Sequence, residues 1–362
     1  MGAVALPVNR SRAPVRFAAA ARVVVVVLST VLSVSLPLVA ADALAQSGAS
    51  AGVNDQRVDA PAHASDVLRL IQRAAHKLDY IGVFAYQQGE LIESSQIAHV
   101  FDGKDEKERI EVLDGEPIEY LRANEDVRIV APLQKIVTNE LQRGDRFPGL
   151  LLSDASAIGA NYDVRVVPEP YRVAGHVCQL IQIVPHDAHR YGYRLCADLA
   201  THLLLKAQTV GDDGSIVNQV AFTQVSIGGP VAENLLTSIW STQGWPVIES
   251  MQQPVDLSGL GWRIAAPPGY ISTLQVSRKF AHDKPVNQLV LSDGLATISI
   301  FIEPYLNDRS EYQPLGAARI GSVNVYGIKV ANFWLTVLGE VPAGTLEQLA
   351  RSIQFVQPAA TK

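Results

Sequence analysis

The sequence predicts an α+β protein built on antiparallel sheets, with a larger first unit and a smaller second one. Two observations carry that expectation. Short segments of alternating apolar and polar residues, parted by turn pairs such as Asp102-Gly103 and Asp114-Gly115, recur along most of the chain. The regular strand–helix alternation of a doubly wound sheet is missing, and helical periodicity is confined to a few places.

The first segment is an export signal in layout. Arg10, Arg12, Arg16 and Arg22 precede an uncharged apolar run from Val23 to Ala41, and the small-residue triplet Ala43-Leu44-Ala45 follows. A retained membrane anchor is the rival, but Ser29, Thr30, Ser33, Ser35 and Pro37 dilute the run, so cleavage near Ala45 and a periplasmic location are expected. No Cys follows the site, so a lipoprotein-type anchor has no attachment point and a stable membrane anchor is not expected. Loss of the four Arg and Asp42 takes the formal charge from −6 to −9. An acidic surface argues against nucleic acid, whose phosphates require a basic face.

The remaining length of about 315 residues suggests two domains. Residues 46–64, rich in Ala, Ser and Gly, read as a leader without periodicity. The first domain is expected over 65–229. It opens on a helix capped by Ser65 or Asp66, with Val67, Leu68, Leu70, Ile71, Ala74, Ala75 and Leu78 at helical spacing. Strands are expected at Tyr80–Gln88, Leu91–Phe101, Arg109–Leu113, Ile118–Arg122, Val127–Val130 and Lys135–Asn139, then a helical patch at Phe147–Ile158. Further strands follow at Tyr171–Val184, Arg190–Asp198, His202–Thr209 and Ser215–Ile227.

From Gly228 to Ser258 the chain carries Gly228-Gly229-Pro230, then Gly244, Pro246 and Pro254, and residues 230–258 read as a connector with a short helix at Glu233–Trp240. The smaller domain is expected over 259–357. Its strands are Trp262–Ala265, Leu274–Phe280, Gln288–Leu291, Ala296–Glu303, Ala318–Val325 and Lys329–Leu338, closed by a helix over Ala343–Ile353.

Cys178 and Cys196 are the two cysteines, and export places both in an oxidising compartment. If the hairpin loop centres on Asp187 they lie directly opposite each other, within disulfide range, so a cross-strand Cys178–Cys196 disulfide is expected, with two separate thiols in the sheet as the alternative. The same register puts Val177, Ile181, Ile183, Tyr191, Tyr193 and Leu195 on one apolar side. His176, Gln182, Arg194 and Asp198 then share a wetter side with the cysteines.

The sequence offers little for catalysis: no nucleophile elbow, no phosphate-cradling loop and no zinc-spaced Cys pair. His186-Asp187-Ala188-His189 places two imidazoles and a carboxylate close together, but it sits in a turn without a fourth ligand and reads as turn residues. The alternating charges of Lys104, Glu106, Lys107, Glu108, Arg109 and Glu111 read as a solvated edge. No cofactor, metal or enzymatic activity is expected. Phe84 and Tyr86 share a strand face, and with Tyr193, Leu205 and Phe222 they are the candidate lining of an apolar cavity, although from these residues alone ordinary core packing is the favoured reading.

Ordered strings along nearly the whole mature chain resemble the RseB/MucB family, periplasmic regulators of the sigma-E type envelope stress response. They include Gly82-Val83-Phe84, Arg190-Tyr191-Gly192-Tyr193-Arg194-Leu195, Leu203-Leu204-Leu205-Lys206, Pro267-Pro268-Gly269-Tyr270, Leu291-Ser292-Asp293-Gly294-Leu295 and Gly339-Glu340-Val341-Pro342. The resemblance implies a first domain shaped like the lipoprotein carriers, a strongly curved half-barrel sheet wrapped around helices. It also implies a function: binding the periplasmic part of a transmembrane anti-sigma factor and shielding it from site-1 proteolysis. Envelope stress would trigger release, with lipid or lipopolysaccharide as the signal. Cys196 stands where the family often carries a bulky aromatic, so the disulfide is not implied by the resemblance. A periplasmic lipid or lipoprotein carrier is the alternative reading, and the second domain argues against it. A homo-oligomer is left open.

Overall fold

The computed structural model describes residues 61–141, 147–149, 158–249, 252–279, 285–305 and 315–357. The expected export signal therefore lies outside the described residues, as do residues 150–157 of the helical patch expected at Phe147–Ile158. Helix α1 (Pro61–Lys77) is followed by β1 (Tyr80–Gln88), β2 (Leu91–Phe101), β3 (Glu106–Val112), β4 (Glu119–Ala123), β5 (Asp126–Ala131) and β6 (Ile136–Leu141). Then come β7 (Tyr162–Val166), β8 (Tyr171–Val173), β9 (His176–Pro185), β10 (Gly192–Asp198), β11 (Leu204–Val210), β12 (Ile216–Ile227) and β13 (Val247–Glu249). These strands form one sheet in the order β13-β6-β5-β4-β3-β2-β1-β12-β11-β10-β9-β7, with β8 on β9. All neighbours are antiparallel except β13 and β6.

Curvature follows from what α1 touches. It packs on β2, β11 and the edge strand β7, and β2 and β7 stand six strands apart. A flat sheet would separate them by about 29 Å, whereas a helix with its side chains is only about 10–12 Å across. The sheet must therefore wrap around the helix. The apolar stripe of α1 supplies the reason: Leu68, Ile71, Ala74 and Ala75 are buried at 5% exposure or less, and Arg69 and Arg73 face out. At the end of the helix, the Tyr80 hydroxyl donates to the Ala75 carbonyl at 3.1 Å, satisfying an acceptor that the helix itself leaves open.

The second unit comprises β14 (Gln252–Pro254), β15 (Trp262–Arg263), β16 (Ile271–Lys279), β17 (Pro285–Ser292), β18 (Thr297–Pro304), β19 (Gly316–Ile320), β20 (Val323–Val330), β21 (Phe333–Gly339), α2 (Ala343–Ser352) and β22 (Gln354–Phe355). Seven strands form an antiparallel sheet in the order β14-β16-β17-β18-β21-β20-β19. Helix α2 lays Leu346, Leu349 and Ala350 on it, against a core containing Ile298, Ile300, Leu335 and Val337. The β15–β22 pair brings Trp262 onto Phe333 and Phe355, with ring centroids 4.9–5.1 Å apart.

Several boundaries differ from the sequence expectation. The first helix begins at Pro61, so neither Ser65 nor Asp66 caps it, and it takes in the last four residues of the expected leader. Proline suits a helix's first turn, where its missing N–H has no partner to lose. The strand expected over Tyr171–Val184 breaks at Ala174-Gly175, both at positive φ. The strands expected over Ala318–Val325 and Lys329–Leu338 each straddle a hairpin turn, at Gly321-Ser322 and Ala331-Asn332. The Ala331 turn has no glycine, so composition gave no sign of it. Within the expected connector, only Glu233–Leu236 is helical, as a 3-10 turn, and Val247–Glu249 joins the first sheet beside β6.

The cysteine hairpin is shifted by one residue at its centre. Tyr193 pairs with Ile183 and Leu195 with Ile181, so the loop centres on Ala188, not Asp187. Cys196 then faces Leu180, and Cys178 faces Asp198. The two cysteines are diagonal neighbours, and a disulfide joins them across a Cα separation of 5.5 Å. Their side of the hairpin is mixed: Cys178 and Cys196 lie in the first core at 0% and 1% exposure, while His176, Gln182 and Arg194 are half-buried; on the other side Ile181, Ile183 and Leu195 are buried and Val177 is 45% exposed. Asp198 is buried because a turn satisfies it, through the Ala200 and Thr201 amides and the Thr201 hydroxyl.

Candidate functional site

The two sheets meet through two polar patches with a cleft beside one of them. Arg190 anchors the first patch. It follows β9 in the hairpin loop, where the Asp187 carboxylate accepts from its Nε at 3.0 Å and its Nη2 at 3.1 Å. That fork fixes the guanidinium plane. Nη1 then crosses to the second unit and donates to Asp293 Oδ2 at 2.6 Å, with both side chains at 0% exposure. Arg190 also donates to the Pro268 carbonyl and stands 5.5 Å from the Tyr162 ring centroid and 4.9 Å from that of Tyr270.

Asp293 is fully provided with donors. Oδ2 accepts from the Tyr162 hydroxyl at 2.8 Å as well as from Arg190, and Oδ1 accepts from the Leu295 and Ala296 amides at 3.0 and 2.8 Å. A buried carboxylate is tolerable only with such a set. Burial first, then Tyr193 and Asp293, push the Tyr162 hydroxyl well above the usual phenol range, so it stays a donor.

Gly269 lets the second unit come this close. It sits at φ +77°, and a Cβ there would stand 2.1 Å from Asn161 Oδ1 and 2.9 Å from Arg190 Nη2. Its carbonyl accepts from Asn161 Nδ2 at 3.4 Å, and the Tyr270 hydroxyl donates to the His189 carbonyl at 3.3 Å.

The second patch is uncharged on the first unit's side. The Tyr86 and Ser322 hydroxyls lie 3.0 Å apart, Ser322 donates to Glu340, and Asn218 Nδ2 donates to the same carboxylate at 3.1 Å. Asn324 Nδ2 donates to the Tyr191 hydroxyl at 3.3 Å. Burial, followed by the charge of Glu340, raises the Tyr86 hydroxyl above its ordinary value. Alongside lies a cleft of about 590 Å³ with Gln88, Leu91, Tyr191, Asp212 and Ile216 on one wall and Arg319 on the other.

The residues singled out as a candidate cavity lining separate into two groups. Phe84, Leu205 and Phe222 lie in the first core. Phe147 joins the two phenylalanines there, at centroid distances of 5.2 Å from Phe84 and 4.9 Å from Phe222. Tyr86 stands at the contact between units through Ser322, and Tyr193 packs against the first core with Asp293 and Glu340 of the second unit close enough to raise its hydroxyl. In the His186–His189 turn, Asp187 is committed to Arg190 and His186 Nε2 lies 3.0 Å from Asp163.

The charges expected on a solvated edge divide: Lys104 and Lys107 are exposed, Glu106 and Glu111 half-buried, and Glu108 and Arg109 buried at 8% and 3% exposure. Arg109 binds Glu119 at 2.6 Å, and Glu106 gathers His76, His99 and Arg122. Sequence reasoning gave no role to Arg190, Asp293, Tyr162 or Glu340. Asp293-Gly294 reads as a turn and Arg190 as a strand start, and nothing in either string points to the other.

No helix among the described residues is long and apolar enough to cross a membrane. Residues 63–240 match the model for the MucB/RseB N-terminal domain and residues 256–354 that for the MucB/RseB C-terminal domain. The sigma factor AlgU regulatory protein MucB of Pseudomonas aeruginosa is 30% identical over 305 residues, covering 81% of this chain and 91% of that protein. A solved Pseudomonas aeruginosa MucA/MucB complex matches at a TM-score of 0.64 and 28% identity, over 82% of this chain and all of that one. A crystal structure of MucB matches at 0.58 and 27% identity, over 82% of this chain and 98% of that one. Matched through both units, the chain belongs to the MucB/RseB family of sigma-factor regulatory proteins.

Proposed function

We propose that this protein is an exported negative regulator of an extracytoplasmic-function sigma factor. In this reading it binds the periplasmic part of a transmembrane anti-sigma factor, shields it from site-1 proteolysis, and lets go under envelope stress. The observation that carries the reading is the match through both units to a MucB solved together with MucA. An isolated lipid-carrier unit would have no use for the seven-stranded second sheet, and we assign partner contact to that unit and the 230–258 connector.

The release signal in this proposal is a lipid or lipopolysaccharide chain taken up by the apolar interior around Phe84, Leu205 and Phe222. Phe147 packs on both phenylalanines, so an acyl chain has to displace it. A ligand that prefers the partner-free conformation weakens the partner by the same factor that the partner weakens the ligand.

The test is protection. The purified mature chain is mixed with the periplasmic segment of the anti-sigma factor from the same genome and challenged with the site-1 protease, with and without added lipopolysaccharide. Slower cleavage that lipopolysaccharide restores is the expected result. Unprotected cleavage with no measurable binding refutes the regulator reading, and binding that lipopolysaccharide leaves unchanged refutes the proposed signal.

A further inference from the structure

The Arg190–Asp293 pair is an unusual way to join two units. Both side chains are at 0% exposure, they lie 103 residues apart in the chain, and they bridge two separate hydrophobic cores. A buried ion pair adds little stability over apolar packing, because desolvation offsets most of its attraction. What it does impose is one orientation.

The pair is also built to open without leaving a bare charge. Arg190 keeps the Asp187 fork on its own unit, and Asp293 keeps the Leu295 and Ala296 amides on its own. Opening the pair therefore exchanges one charged hydrogen bond, the Tyr162 hydroxyl bond and the Pro268 contact for water, and parting the units further releases the hydrogen bonds of Asn161, Tyr270, Tyr86, Asn218 and Tyr191 across the same contact. It does not strand a charge in a dry interior. Two arrangements that each satisfy their charges are what a two-state element requires.

We propose that Arg190 and Asp293 form an interdomain latch: closed, it holds the two units in the arrangement that retains the anti-sigma segment, and open, it releases that segment. The inference rests on the regulator reading above. The choice of which state binds follows from likeness, since this latched chain matches a MucB solved together with MucA at a TM-score of 0.64 and a further MucB crystal structure at 0.58. Gly269 is the mechanical counterpart, because any side chain there pushes Asn161 and Arg190 away from the second unit.

The test uses the full mature chain and two variants. Asp293→Asn removes the charge but keeps the shape. Gly269→Ala leaves both charges in place and wedges the contact, which keeps the question answerable should Asp293→Asn fold poorly. Small-angle scattering reads the separation of the units, and calorimetry reads affinity for the synthetic periplasmic segment of the anti-sigma factor. We expect both variants to show a larger maximum dimension and at least tenfold weaker binding, with wild-type far-ultraviolet dichroism. Unchanged scattering in both variants overturns the latch, and separated units that bind within twofold of wild type overturn its coupling to the partner. A wild-type protein that does not bind the segment sinks the regulator reading and the coupling with it, while scattering still decides whether the latch exists.

Discussion

Removing the Cys178–Cys196 bridge should lower the stability of the first unit by about 3 kcal/mol. The sequence separation is 18, and closing a loop of that length removes unfolded-state entropy worth about 3 kcal/mol at 25 °C. Both sulfurs are buried, at 0% and 1% residue exposure. Cys178→Ala with Cys196→Ala therefore leaves a small void that adds roughly 1 kcal/mol. For a unit of this size each kcal/mol moves the melting midpoint by about 2–4 °C, so reduction alone should lower it by about 6–12 °C. Because the bridge is buried, the thiols must be reduced in denaturant and the protein refolded with reductant present. Differential scanning calorimetry of oxidised, reduced and doubly substituted protein is the assay. The three should rank in that order, with the larger shift in the transition of the first unit. Coincident oxidised and reduced midpoints would falsify the argument, since they would mean that the unfolded chain does not feel the crosslink.

Three other outcomes follow from the packing and the charges. Burial alone would raise the Glu106 carboxyl, but hydrogen bonds from His76 and His99 and the charge of Arg122 hold it well below its ordinary value of 4.5. A depressed carboxyl stabilises the fold above its unfolded value, and that contribution fades as pH falls toward the folded one. The stability gap between wild type and Glu106→Gln, read from urea midpoints, should be full above pH 4.5 and narrow on acidification; a gap that widens contradicts the assignment. Phe222→Ala should cost about 3–5 kcal/mol by chemical denaturation, because it removes a ring packed on Phe84 and Phe147; a loss under 1 kcal/mol would mean that the interior is loosely filled. Gly82→Ala places a Cβ 2.6 Å from the Gln224 carbonyl oxygen and 2.8 Å from the Phe222 ring. It should destabilise by about 1–3 kcal/mol, and a melting midpoint equal to wild type would show that β1 and β12 can yield there.

What could be read from the sequence was local. The first two strands, Tyr80–Gln88 and Leu91–Phe101, end where alternation and the intervening Gly89 turn say they should. The stripe of α1 was visible in Leu68, Ile71 and Ala75, and the nearness of Cys178 to Cys196 followed from their places in one hairpin. The hairpin's centre was off by one residue because a loop with no Gly or Pro between Pro185 and Gly192 carries no mark of its midpoint. Strand β13 was invisible as well. Three residues in a Pro-flanked connector have no period, and they become a strand only because β6 offers a free edge.

The sequence by itself determined the antiparallel α+β class, the helix stripes, the two-unit layout as an expectation and the strings that carry the family resemblance, because each is recorded in residues that are neighbours or repeat at a fixed period. The tertiary structure alone decided which charges are buried and whom they meet. An Arg at a strand start and an Asp in a turn read as surface residues wherever they occur. They become a dry, bridging pair only when the wrapped first sheet and the second sheet bring positions 190 and 293 together.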